Sequence, residues 1–361
     1  MISFWANRSS SFAIPSYCAR RGRAIADRFE CRVYEDLGPH VRLRPGTHIF
    51  ASLDRLTPAQ RDAVAVMHDA LAARVPDAPR LNDPRRVVMR FELLTTLHEA
   101  KINAFTAFGA RDTRELTRFP VFLREADDHN GPLTGLLHSR REVSKALWAL
   151  RARGWRLDGL LAVEFCDTSD GHGTYRKYSA FAVGDRIVPC HVLASHQWVV
   201  KSESNEVSEA LVRENMAYIE ANPHERWLRQ VFSLAGAGYG RIDYGILNGV
   251  PQVWEINLNP TIGMAPTHQR KSLDPALEGL REEEREAFHS RLREAFLAID
   301  RPGSGPDIEV VFRPALSARL ARDAATTRRR ERAQTWLHRV YDGPRAGRLF
   351  RALYRRVLPR F

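Results

Sequence analysis

One stretch constrains this 361-residue chain more than any other: Arg241 to Pro260, RIDYGILNGVPQVWEINLNP. Asn248-Gly249 reads as the tip of a β-hairpin, because both residue types tolerate the positive φ of a tight turn. Asp243 lies mid-strand on one arm. Glu255 and Asn257 stand two apart on the returning arm and therefore share a face. Burying three oxygen donors among Ile242, Ile246, Trp254 and Ile256 is costly unless a cation is present. Hard oxygen ligands with room for phosphate oxygens suit Mg²⁺. Pairing sets a condition on this site. A plain two-residue turn puts Asp243 and Glu255 on opposite faces, so a shared site needs a three-residue loop (Asn248, Gly249, Val250) or a bulge near Pro251. Otherwise the segment is a surface hairpin with scattered polar residues.

Asp243 together with Trp254-Glu255-Ile256-Asn257-Leu258-Asn259-Pro260 resembles the "D…EvNpnP" signature of the ATP-grasp superfamily. Upstream segments follow in that family's order. Asn82 to Phe108 resembles the helix that leads into the fold. Phe119 to Arg124 (FPVFLR) resembles the strand whose basic residue contacts ATP phosphates. Asp128 to Gly135 resembles the Gly-containing flap over them, and Leu161 to Phe165 (LAVEF) the hinge strand at the adenine.

The resemblance covers residues 80–265. It implies an α/β chain with the ATP-grasp fold, using ATP and Mg²⁺, with Mn²⁺ as a substitute. Asp243, Glu255 and Asn257 would hold the metal; Arg124, His129, Gly131 and Glu164 would hold the nucleotide. Arg176 and Lys177 resemble the basic position that contacts phosphate or substrate, and also fit a solvated strand end. Two departures stand out: Arg124 replaces the family's usual Lys, and Glu125 its usual Pro. Only five of the 55 basic residues are Lys, and phosphate binding needs only charge and donors, so Arg124 can be the same cation.

Three regions follow: an N-terminal α/β lobe at 1–80, a two-lobed nucleotide domain at 81–300, and a linker with an Arg-rich helical tail at 301–361. The net charge of +12 belongs to the tail, since Val311 to Phe361 holds 14 Arg and three acidic residues. The body is nearly neutral, so no sequence-specific nucleic-acid partner is expected. In the tail, Leu349, Phe350, Leu353, Tyr354 and Val357 form an apolar stripe flanked by Arg. It fits an anionic membrane surface, a protein partner or docking on the body. The first 23 residues do not read as a signal peptide. Cys18, Cys31, Cys166 and Cys190 lack a disulfide or metal spacing, which suits a cytoplasmic chain, peripheral at a membrane if the tail binds one.

His191, His196, Trp198 and Lys201 are candidates for lining an acceptor pocket, while GAGYG (Gly236 to Gly240) reads as a helix end and turn. No Ser-His-Asp or Cys-His arrangement is evident. The expected chemistry is therefore electrostatic: a carboxylate substrate activated by ATP as an acyl phosphate and attacked by an amine or similar nucleophile. A small-molecule kinase and a non-catalytic nucleotide-binding module are the alternatives.

Overall fold

The computed structural model describes residues 1–263 and 274–342. The apolar stripe of the terminal segment lies outside those residues. The chain opens with β1 (Ile2–Ala6), α1 (Ala13–Cys18), β2 (Phe29–Val33), β3 (His40–Leu43), β4 (Thr47–Phe50), α2 (Pro58–Arg74) and β5 (Arg80–Leu81). Four of these strands form a parallel sheet in the order β2-β1-β4-β5. β1 and β4 are buried at every position, as central parallel strands covered on both faces must be. The N-terminus of α2 is fixed as its sequence indicates: Thr57 and Gln60 form a capping box, and Pro58 occupies the first turn.

A second lobe contains α3 (Arg90–Glu99), β6 (Ala107–Gly109), β7 (Val121–Glu125), α4 (Arg140–Ala152) and β8 (Leu160–Glu164). Its antiparallel sheet runs β6-β8-β7, with α4 packed on it through Val143, Leu147 and Leu150. The third comprises β9 (Tyr175–Val183), β10 (Arg186–Ser195), α5 (Glu209–Ala221), α6 (Glu225–Leu234), β11 (Tyr239–Leu247), β12 (Val250–Asn257) and α7 (Pro275–Ile299). Here the antiparallel sheet runs β10-β9-β11-β12. One of its faces is apolar, with Ala180, Ala182, Ile242, Tyr244 and Val253 in the main core. The other face carries the polar residues.

The hairpin meets its pairing condition in a different place from the one expected. The turn is a plain two-residue one, with Leu247 opposite Val250 and positive φ at Asn248 and Gly249. The bulge lies three residues beyond Pro251, at Trp254: Tyr244 pairs with Val253, and Asp243 with Glu255. Two contacts explain the position. Asn103 exchanges both side-chain hydrogen bonds with the backbone of Val253 at 2.9 Å, pinning the free edge of β12. Gly245 leaves room for the Trp254 ring, which a Cβ there would meet at 2.6 Å.

The segment after Asp300, read as linker and tail, returns to the N-terminal lobe. β13 (Ile308–Val311) pairs antiparallel with β3, and α8 (Pro314–Asp342) packs beside α2. Leu320 is buried there, Arg319 bonds Asp62 at 2.7 Å, and Thr57 bonds Asp323 at 2.5 Å.

GAGYG ends α6 and enters β11, as its composition indicates. Gly236 has φ +63°, and a Cβ on it would lie 2.3 Å from the backbone oxygen of Arg86. Gly236→Ala therefore combines left-handed strain with a backbone clash. We expect it to lower the unfolding free energy by about 2–4 kcal/mol in urea denaturation. A loss below about 0.5 kcal/mol would contradict this packing.

Candidate functional site

β9, β10, β11 and β12 place a row of polar side chains on one face of the sheet. His191 lies opposite Ser179, Ser179 opposite Asp243, and Asp243 opposite Glu255. Two positions along, Arg241 and Asn257 form the next pair on that face, and Lys177 lies two before Ser179. The bulge at Trp254 is what brings Glu255 into this row.

Each carboxylate is ringed by cations. Glu255 accepts from Arg90 at 2.5 Å and Arg124 at 3.0 Å, and His129 Nδ1 is 3.5 Å away. Asp243 accepts from Arg241 at 3.0 Å and Ser179 Oγ at 2.8 Å, with Lys177 Nζ at 3.4 Å. Burial opposes ionisation of both acids, but the charges win. His129, Arg90 and Arg124 hold Glu255 well below the usual carboxylate range, while Arg241 and Lys177 do the same for Asp243. Asn257 is committed locally, its Oδ1 accepting from the Asn259 amide at 2.9 Å.

Above these groups a cavity of about 160 Å³ opens between the second and third lobes. Seven of the nine residues expected to hold metal, nucleotide or phosphate surround it: Arg124, His129, Gly131, Glu164, Lys177, Asp243 and Glu255. Its apolar walls include Leu94, Phe105, Val163, Trp198 and Trp254. Trp198 packs on Phe122 and edge-on to Phe165, with ring centroids 5.1 and 5.7 Å away.

The flap is docked over the opening. His129 Nε2 lies 3.1 Å from Asp54 of the N-terminal lobe, and Lys201 donates to the Asn130 carbonyl at 2.9 Å. Gly131 turns with φ +101°, and a Cβ there would press on Lys201 at 3.3 Å. Glu164 is buried, with its carboxylate taken by the Thr106 amide at 3.2 Å and by Arg118 at 3.4 Å. It therefore braces the hinge as well as lining the cavity.

Two expectations change. Arg176 does not join Lys177: adjacent strand residues face opposite ways, and Arg176 bonds Asp170 at 2.6 Å and Glu214 at 3.0 Å on the other side. The His/Trp/Lys segment is also divided. Trp198 and Lys201 line the small cavity, His191 lines a larger neighbour, and His196 is exposed. The unusual Glu125 is set apart by the same strand alternation as Arg176. It alternates away from Arg124, and burial with Asp128 and Asp127 nearby pushes its carboxyl up to about 7.

Arg90 and Arg241 were not singled out from sequence. Arg90 is buried at the start of α3 and donates to three flap-strand carbonyls, Glu125, Ala126 and Asp128, at 2.7–3.1 Å. It joins the flap to Glu255. The one available signal was a charged residue opening a helix otherwise patterned for burial. Nε of Arg90 and Nε of Arg124 are buried without a hydrogen-bond partner.

Asp243 and Glu255 with Asn257 make a hard-oxygen donor set on one sheet face, which fits a divalent ion shared with phosphate oxygens. Among the described residues, no three His, Cys, Asp or Glu side chains cluster as metal ligands. Any ion must therefore draw further oxygens from its substrate or from water. No described helix is long and apolar enough to cross a membrane.

No family model matches the chain, and no curated protein does. Several solved structures are similar in overall shape. D-alanine–D-alanine ligase from Helicobacter pylori is 11% identical with a TM-score of 0.46, covering 84% of this chain and 99% of that one. A RimK domain ATP-grasp protein from Sphaerobacter thermophilus is 15% identical with a TM-score of 0.41, covering 80% and 98%. N5-carboxyaminoimidazole synthase from Aspergillus clavatus, in complex with ADP and 5-aminoimidazole ribonucleotide, is 12% identical with a TM-score of 0.42, covering 90% and 98%.

Proposed function

We propose that this chain is an ATP-dependent ligase of the ATP-grasp type, which activates a carboxylate for attack by an amine or similar nucleophile. The observation that carries the reading is the surplus of cations around a carboxylate pair. Arg90, Arg124, Lys177 and Arg241 converge on Asp243 and Glu255, so the site still carries excess positive charge. The orphaned Nε donors of Arg90 and Arg124 add unspent hydrogen-bonding capacity. A polyphosphate supplies the missing charge and acceptors. The apolar slot lined by Phe105, Trp198 and Trp254 suits a flat base, which supports a reading with the base at that end and the phosphates toward the carboxylates.

Asp243, Glu255 and Asn257 would hold Mg²⁺, which when bound neutralises charge on the transferred phosphoryl group. In the reaction, an oxygen of the substrate carboxylate attacks the γ-phosphorus, the β–γ bridging bond breaks, and ADP leaves. The amine nitrogen then attacks the acyl carbon, the bond to the phosphate oxygen breaks, and inorganic phosphate leaves with loss of a proton from nitrogen. The protein's part is positional and electrostatic. Arg124 and Lys177 orient phosphate oxygens, Arg90 keeps the flap closed against water, and Arg241 faces the developing charge beside Asp243.

The test is ADP release by the purified chain with ATP and Mg²⁺, across a panel of carboxylic acids paired with amines. A ligase releases ADP in step with consumption of both. Release with one acceptor alone, giving a stable phosphorylated product, selects the kinase reading instead.

A further inference from the structure

A second and larger cavity, of about 900 Å³, lies on the same sheet face beside the nucleotide slot. The two share a wall at one ion pair. Arg241 lines the large cavity, and the carboxylate it holds, Asp243, lines the small one. His191, at the end of the polar row, also opens into the large cavity.

The acids around this cavity are not equivalent. Glu278 is bridged by Arg285 at 2.6 Å and lies 3.7 Å from Arg281. Glu282 bonds Arg285 at 2.6 Å and also pairs with Arg21. Glu284 differs: its described hydrogen bond comes from a neutral group, Asn215 Nδ2, at 2.6 Å. Asn215 has no freedom to turn round, since its Oδ1 accepts from the Val192 amide at 3.0 Å and the side chain is buried. Its amide nitrogen is therefore fixed toward Glu284, whose carboxylate has no described ion pair, although the charges of Arg281 and Arg285 act on it. On the same wall, His191 Nε2 is buried without a hydrogen-bond partner, while its Nδ1 lies 3.1 Å from Cys190 Sγ. With the His191 ring proton on Nδ1, facing Cys190 Sγ, Nε2 is an acceptor, and with a carboxylate held by an amide it describes a place for a hydrogen-bond donor of positive charge.

We propose that the large cavity receives the attacking amine, and that Glu284, positioned by Asn215, recognises its ammonium group. This assignment rests on the ligase reading for the amine's role, whereas the binding itself is measured separately. The ligand class is a primary amine, with His191 Nε2 a second contact beside the Arg241 wall.

The groups facing Glu284 set the pH response. Burial pushes its carboxyl up to about 7, against Arg281, Arg285 and the Asn215 hydrogen bond, which lower it. From β10, Cys190 is pushed up to about 12 and His191 down to about 3, both chiefly by burial, so both stay neutral between pH 6 and 8. Arg241 remains charged. Glu284 thus gains its charge as pH rises through about 7, and ammonium binding strengthens in the same interval.

The experiment is ligand-observed saturation-transfer NMR on the full chain, with ethylamine and butylamine as probes and ethanol and butanol as uncharged controls. Wild type should bind the amines in preference to the alcohols, more strongly at pH 8 than at pH 6. Glu284→Gln keeps the Asn215 hydrogen bond and should weaken amine binding at least tenfold, with no remaining pH dependence. Equal amine and alcohol binding by wild type overturns the proposal, as does undiminished amine binding by E284Q. Circular dichroism of the same samples checks folding, and titration with AMP-PNP and Mg²⁺ separates the two readings. Failure to bind AMP-PNP removes the ligase reading while the amine result stands or falls on its own.

Discussion

Glu255→Gln should reduce ADP release at least a thousandfold and destabilise the fold at the same time. The two effects have one cause. Glu255 is the point where Arg90, Arg124 and His129 converge, at 2.5, 3.0 and 3.5 Å. An amide of the same shape leaves two largely buried guanidiniums without their counter-charge, and breaking a buried pair from one side costs about 3–5 kcal/mol. Some solvent reaches Glu255, so the lower end of that range is expected. The catalytic loss is separate from the folding loss, because an amide is a poorer ligand for a hard cation than a carboxylate. Steady-state ADP release and urea denaturation on one preparation measure both. Retention of activity within tenfold would remove Glu255 from the metal site.

Arg90→Ala is the second variant with a large expected effect, and it tests a residue that motif reasoning missed. Arg90 joins three carbonyls of the flap strand to Glu255, so its loss frees the flap and weakens the hold on that acid together. We expect KM for ATP to rise at least thirtyfold, with new protease cleavage between Asp127 and Gly135. Stability should fall by about 3 kcal/mol, given about 1.5–3 kcal/mol for a hydrogen bond to a charged group and strong non-additivity. Lysine should restore little, because one ammonium cannot span acceptors that a planar guanidinium reaches at once. An unchanged KM and proteolysis pattern would show that the flap is held elsewhere.

The hairpin was readable because its meaning is local: a turn dipeptide, a period of two and three oxygen donors. The need for a three-residue loop or a bulge followed from counting alone. Its position did not, since that depends on Asn103, 150 residues away in the chain, and on the space above Gly245. Arg90 was hidden for a similar reason. It is one arginine among fifty, and three of its partners are backbone carbonyls, which leave no mark in sequence. Arg176 and Lys177 could have been separated beforehand, since strand alternation sends neighbours to opposite faces. The same alternation, in IEVV at Ile308–Val311, marked a strand inside the segment read as linker and tail.

That returning strand has a consequence for how the chain is made. Thr57 and Asp323 meet across 266 residues of sequence, and β3 finds its strand partner in β13. Synthesis delivers the lobe of Thr57 and β3 ahead of β13 and α8, so β3 and the face of α2 stay uncovered until those two elements have emerged. This lobe is therefore finished only after the second and third lobes have been made, and chaperones have that interval in which to engage it.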